Sequence, residues 1–172
     1  MKHKTTTQIE GNKVSIDACG AILPLVSLLL NGSNRGKKDA LTTYKLVSMK
    51  QNKERAVNAG AVKPLVDFIS EQGSGLTEKV MVVLSSLAAI PEGRTAIIEG
   101  GITVLVEAIE DGLVKGKEFA VLTLLQLCAE SVRNRGLLVR EGGIPLLVAL
   151  SQTGTAREKQ KVFFVHHCPF KL

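Results

Sequence analysis

The groups in this chain best suited to proton transfer, nucleophilic attack or metal ligation are His3, His166, His167, Cys19, Cys128 and Cys168. A general base needs a positioned partner and a pocket, yet all three histidines fall in terminal segments. No GxSxG, Walker loop or metal-ligand spacing occurs, and the GSG at 73–75 belongs to a turn between helices. His166, His167 and Cys168 are adjacent. Neighbouring side chains do not easily converge on one ion, and structural zinc sites use spaced pairs. The cysteines are odd in number and scattered, which reads as buried free thiols in a reducing compartment. No catalytic residue, metal ligand or cofactor is expected.

Charge narrows the function further. The net charge is +6, but it is distributed in blocks. Residues 1–60 hold ten Lys/Arg against four Asp/Glu, residues 61–130 five against ten, and residues 131–172 seven against two. This alternation is not the single basic stripe of a nucleic-acid binder. Aromatics are only 3%, and no signature of an RNA- or DNA-binding module is present. No apolar run approaches the 18 or more residues of a membrane span. The start MKHKTTTQIEGNK has no hydrophobic signal region, so a cytoplasmic or nuclear location is expected.

The elements that position side chains repeat. ACGAILPLV, NAGAVKPLV, EGGITVLV and EGGIPLLV place Gly20, Gly60, Gly100 and Gly142 at intervals of 40, 40 and 42 residues, the spacing of a repeat architecture. Eight residues before each glycine stand Asn12, Asn52, Glu92 and Asn134, opening a short first helix that the glycine ends in the left-handed conformation. Pro24, Pro64 and Pro145 then fall near the start of a second helix, where a missing N–H costs little. Val104 takes that slot in the third unit. The second helix runs through LVSLLL, LVDFIS, LVEAIE and LLVAL into glycine-bearing turns. A third helix follows as KKDALTTYKLVSM, TEKVMVVLSSLAA and GKEFAVLTLLQLCAE, with apolar residues three and four apart. Three helices per roughly 40-residue period and no strand pattern predict an all-α solenoid.

The joint pattern G-[AG]-[IV]-x-x-LV, N-[KR] before it and a GS turn after it resembles armadillo repeats. GKKDA, NKERAVNAGAVKPLV, LAAIPEGR, LLQLC and REGGIPLLVALSQTGTAR are similar to the armadillo region of plant U-box armadillo proteins and their U-box-less relatives. The resemblance covers roughly residues 8–160. It implies a right-handed armadillo superhelix of three full repeats and an incomplete fourth. The expected division is a disordered segment at 1–7, an armadillo domain at 8–162 with units 8–50, 51–90, 91–130 and 131–162, and a divergent apolar tail at 163–172.

In that fold the third helices line a concave groove. Aligned on Leu46, Leu87 and Leu127, the expected partner-binding lining is Asp39, Thr42, Lys45, Lys79, Val82, Ser86, Phe119, Leu122 and Gln126. The alternative for Val82, Leu122 and Phe119 is simple packing inside the solenoid. Where peptide-holding armadillo proteins carry asparagine, this chain has Lys45, Ser86 and Gln126. Where import receptors carry tryptophan it has Val82 and Leu122, so recognition of nuclear-localisation signals is not expected. The first unit is one residue short between turn and aligned leucine, a gap placed between Thr43 and Tyr44. One missing residue rotates the remainder of the helix by about 100°.

The function implied is a non-enzymatic protein-interaction scaffold with a protein or peptide ligand in the groove. It would be the substrate- or partner-binding region of a U-box-type ubiquitin ligase relative, or a ubiquitin-independent signalling or transcriptional scaffold. No nucleic acid or membrane partner is expected, and the chain is expected to be a monomer apart from association through its tail. In that tail, KQKVFFVHHCPFKL replaces the fourth unit's third helix, and Pro169 bars helix continuation. An uncapped terminal repeat frays or aggregates, so the tail is read as a truncation or splice product.

Overall fold

The computed structural model describes residues 20–43, 50–70, 76–112, 114–129, 131–156 and 159–160. Among these there are ten helices and no strand. They are α1 (Ile22–Asn31), α2 (Asn34–Thr43), α3 (Lys50–Asn58), α4 (Val62–Ser70), α5 (Thr77–Leu87), α6 (Pro91–Ile98), α7 (Gly101–Asp111), α8 (Val114–Cys128), α9 (Val132–Arg140) and α10 (Gly143–Thr153). The first helix of the first unit, the gap beside Tyr44, Lys45, the segment 1–7 and the tail 163–172 lie outside the described residues.

The order short helix, second helix, third helix recurs as α3–α4–α5 and α6–α7–α8. At its first junction Gly60, Gly100 and Gly142 have φ of 79°, 102° and 73°, and Gly20 has 71°. These are left-handed conformations that let the chain turn sharply between helices. Pro24, Pro64 and Pro145 are the third residues of α1, α4 and α10, within the turn whose N–H groups have no intrahelical acceptor.

The small residue after each glycine has its own packing reason. Ala61 is fully buried. A Cβ added to Gly101 would lie 3.7 Å from Val66 Cγ2, and one added to Gly143 would lie 3.2 Å from Val106 Cγ2. Helices α7 and α10 thus start against the valine of the preceding second helix. Through such contacts α4 packs on α7 and α7 on α10, while α2 packs on α5 and α5 on α8 in a parallel layer. One continuous apolar cluster runs between the layers from Ile22 to Leu147. Leu65, Leu84, Leu87, Leu105, Leu124 and Leu127 are at most 2% exposed within it.

The asparagine signature is a cap on the preceding helix. Asn134 is buried, and its Nδ2 donates to the Leu127 carbonyl at 2.7 Å. The Arg135 guanidinium donates to the carbonyls of Cys128 at 3.0 Å and Ala129 at 3.3 Å. The last carbonyls of α8, left over by helix geometry, are satisfied by α9. Arg94 does the same for α5, donating to Ala88 O at 3.3 Å.

Two expectations are corrected. Glu92 is exposed and does not correspond to Asn52 and Asn134. Those are the third residues of α3 and α9, and the third residue of α6 is the buried Gly93. Helix α6 has eight residues against nine, so counting eight back from its glycine overshoots by one. The third helices also begin earlier than Lys37 and Gly116, at Asn34 and Val114. In α2 the start is made by Ser33, whose Oγ accepts the Gly36 N–H at 3.3 Å, the N-cap geometry that a hydroxyl favours.

Candidate functional site

The layer α2–α5–α8 turns one side of each helix into the core and leaves the other out. In α5 the core takes Val80, Met81, Val83, Leu84 and Leu87. Lys79, Val82 and Ser86, spaced by three and four residues, fall on the remaining side. Lys79 and Val82 are exposed, Val82 to 41%, and Ser86 is half-buried. In α8 the equivalent stripe is Phe119, Leu122 and Gln126, all half-buried. In α2 it is Asp39 and Thr42, both exposed.

The structure therefore brings eight of the nine expected lining residues onto one layer, the ninth, Lys45, being outside the described residues. The rows repeat every 40 residues: Asp39, Lys79, Phe119; then Thr42, Val82, Leu122; then Ser86 and Gln126. Two of the rows are linked directly, since Lys79 Nζ donates to Thr42 Oγ1 at 3.1 Å across α2 and α5. Thr42 in turn donates to Lys38 O at 2.8 Å, so its hydroxyl serves both as donor and as acceptor. Val82 is not packed inside the solenoid. Phe119 does pack against the core, with part of its ring left exposed.

Two side chains of the same stripes were missed. Arg35 lies four residues before Asp39 on α2, and Lys115 four residues before Phe119 on α8; both are exposed. Helical spacing alone would have found them. The expected helix starts at Lys37 and Gly116 excluded them, which is how an error in an element boundary became an error in a site.

Among the described residues of this layer one polar atom is left over. Gln126 Oε1 is buried and accepts no hydrogen bond. By contrast Thr123, one turn earlier and also buried, donates to Phe119 O at 2.7 Å. Cys128 at the end of α8 is a buried free thiol. Burial pushes its pKa up from 9.0 to about 11, against a smaller opposing effect of Arg135. Such a thiol is a packing group and a poor nucleophile. Among the described residues no group of three His, Cys, Asp or Glu could hold a metal ion, and no helix is long and apolar enough to cross a membrane.

Stacked three-helix units joined by left-handed glycines, with their third helices in one layer, define an armadillo solenoid. Solved structures agree. A computationally designed armadillo repeat protein for modular peptide recognition superposes with a TM-score of 0.83 at 21% identity, covering 92% of this chain and 70% of that one. A designed armadillo repeat protein in complex with the peptide (KR)4 gives 0.82 at 19% identity, covering 92% and 68%. At these identities the likeness concerns the fold alone.

Sequence comparison narrows the class to a family. Residues 20–110 match the model for the plant U-box protein ARM repeat region, and the chain belongs to that family. U-box domain-containing protein 2 of Arabidopsis thaliana is 49% identical over 111 residues, which is 64% of this chain and 16% of the relative. U-box domain-containing protein 8 of the same plant is 30% identical over 163 residues, 92% of this chain and 42% of the relative. The chain thus spans less than half the length of either relative.

Proposed function

We propose that the chain is the partner-binding armadillo region of a U-box-type ubiquitin ligase relative, with its partner site on the α2–α5–α8 face. The observation that carries this reading is the stripe of Lys79, Val82, Ser86, Leu122 and Gln126. The chain places apolar and hydrogen-bonding side chains in register there and leaves them outside the core. The family adds the ligase context, because a U-box would supply the contact to a ubiquitin-conjugating enzyme and the solenoid would select what is modified. In this division of labour the described helices bind and do no chemistry. The buried free thiol of Cys128 suits a reducing compartment, in keeping with a place in the cytoplasm or nucleus.

The test is substitution once a partner has been identified by proximity labelling or pull-down with mass spectrometry. Changing Lys45, Lys79 and Gln126 together to alanine is expected to weaken binding by at least about tenfold, or about 1.4 kcal/mol. Changing Glu54 and Arg55 on α3 is expected to alter it less than about twofold, since charges outside an interface contribute little to binding. Equal effects of the two sets would place the partner elsewhere.

A further inference from the structure

Resting on that face being the binding face, we infer that it selects an acidic peptide segment carrying a large apolar anchor. The charges exposed on its stripes are unbalanced: Arg35, Lys38, Lys79 and Lys115 are exposed there against one exposed carboxylate, Asp39, while Glu78 and Glu118 are half-buried. Two neighbouring cations, Lys37 and Lys117, are already engaged elsewhere. Lys37 Nζ sits 4.7 Å from the centroid of the Phe68 ring, and Lys117 Nζ donates to Glu110 O at 2.9 Å. Lys79 is different, because its hydrogen bond goes to the neutral Thr42 hydroxyl. That bond holds the ammonium over the seam between α2 and α5 without cancelling its charge. A ligand carboxylate arriving there gains a charge-assisted hydrogen bond.

One helical turn further along each helix the chemistry changes. Val82 is 41% exposed and Leu122 half-buried, forming an apolar step where a Leu or Phe side chain is drawn out of water. Gln126 lies four residues beyond Leu122, with Oε1 shielded from solvent and unpaired. An unpaired buried acceptor is unfavourable. A ligand that presents a backbone N–H as the amide turns outward removes that penalty. Cation, apolar step and acceptor succeed one another along the face, and together they fit an acidic peptide with an apolar side chain beside its carboxylates.

The experiment uses the full chain and three fluorescein-labelled twelve-residue peptides. One alternates Glu with Leu and Phe, the second has Lys in place of Glu, and the third has Ser in place of Leu and Phe. By anisotropy the first is expected to bind at least tenfold more tightly than either other. Lys79→Glu should weaken it about tenfold and strengthen the lysine peptide, and Leu122→Ser should weaken it without changing the charge preference. Arg133→Glu with Arg140→Glu on α9, an even larger change of net charge off this face, should leave the affinity within twofold. An equal loss in that variant would reduce the effect to overall charge and overturn the inference. Preference for the lysine peptide, abolished by Leu122→Ser, would keep the face as the binding site and overturn only its acidic selectivity. Failure of all three peptides to bind, with the fold intact by circular dichroism, would remove peptide binding by this face as well.

Discussion

Gly100 and Gly93 show how differently two glycines of one helix region are constrained. Gly100 has φ of 102°, yet a Cβ there would meet nothing within 4 Å; its demand is purely conformational. Gly93 has an ordinary backbone, and a Cβ would collide with the Leu87 carbonyl; its demand is steric. Gly100→Ala should therefore destabilise by about 1–2 kcal/mol, the cost of a left-handed alanine. Gly93→Ala should cost more, because α6 must move off the end of α5. Urea titrations that ranked them the other way would contradict this assignment. Cys128 makes a second prediction at the same scale. With Cys19 and Cys168 changed to serine, Cys128 should react with a thiol reagent at pH 8 roughly a hundredfold more slowly in the folded than in the unfolded chain, since only the thiolate attacks. Its folded pKa is raised from 9.0 to about 11, so the neutral thiol is favoured by folding. The stability this contributes is complete below pH 9 and is lost as pH rises from there through about 11. A stability that increased over this window on account of Cys128, judged against Cys128→Ala, would reverse the sign.

Between elements, the decisive comparison is α7 with α10. Val106 is 6% exposed because α10 begins against it, whereas its counterpart Val148, 42 positions later, is 45% exposed. Ile109, 2% exposed, is replaced in that register by Ser151, and Ile102, 4% exposed, by a half-buried Ile144. Only Gly143 and Leu147 of α10 are buried. Helix α10 therefore has far less apolar cover than α7, and low burial goes with low local stability. Hydrogen exchange is expected to protect amides in 147–153 clearly less than those in 105–111. Equal protection of the two would mean that α10 is capped as firmly as an internal helix.

At the scale of the whole molecule, stability is distributed along the chain because each unit touches only its neighbours. Unfolding should then be shallow or multistep, with the fourth unit melting first and α5–α8 last. Calorimetry giving a van't Hoff enthalpy equal to the calorimetric one would show a single cooperative unit. The same linear design gives a long continuous face: α2, α5 and α8 present equivalent positions at a fixed repeat, on the side turned away from the core.

The amino-acid sequence by itself determined the repeat, its three-helix rhythm, the left-handed glycines and the all-α fold. Each of these depends on local rules: apolar periodicity, and the backbone freedom of glycine at a helix end. It also marked Asp39, Thr42, Lys79, Val82, Ser86, Phe119, Leu122 and Gln126 as sharing helix faces, since spacing alone sets that. Contacts between helices were decided only in three dimensions. The Lys79–Thr42 bond, the capping of α8 by Asn134 and Arg135, the seating of Gly143 on Val106 and the orphaned Gln126 oxygen all depend on how neighbouring units dock. Helix starts belong to this second group. Ser33 could equally have been a loop serine, and with α2 and α8 starting at Asn34 and Val114, Arg35 and Lys115 join the face. Docking is set by the summed shape of the buried side chains of two units, which no local window of sequence contains.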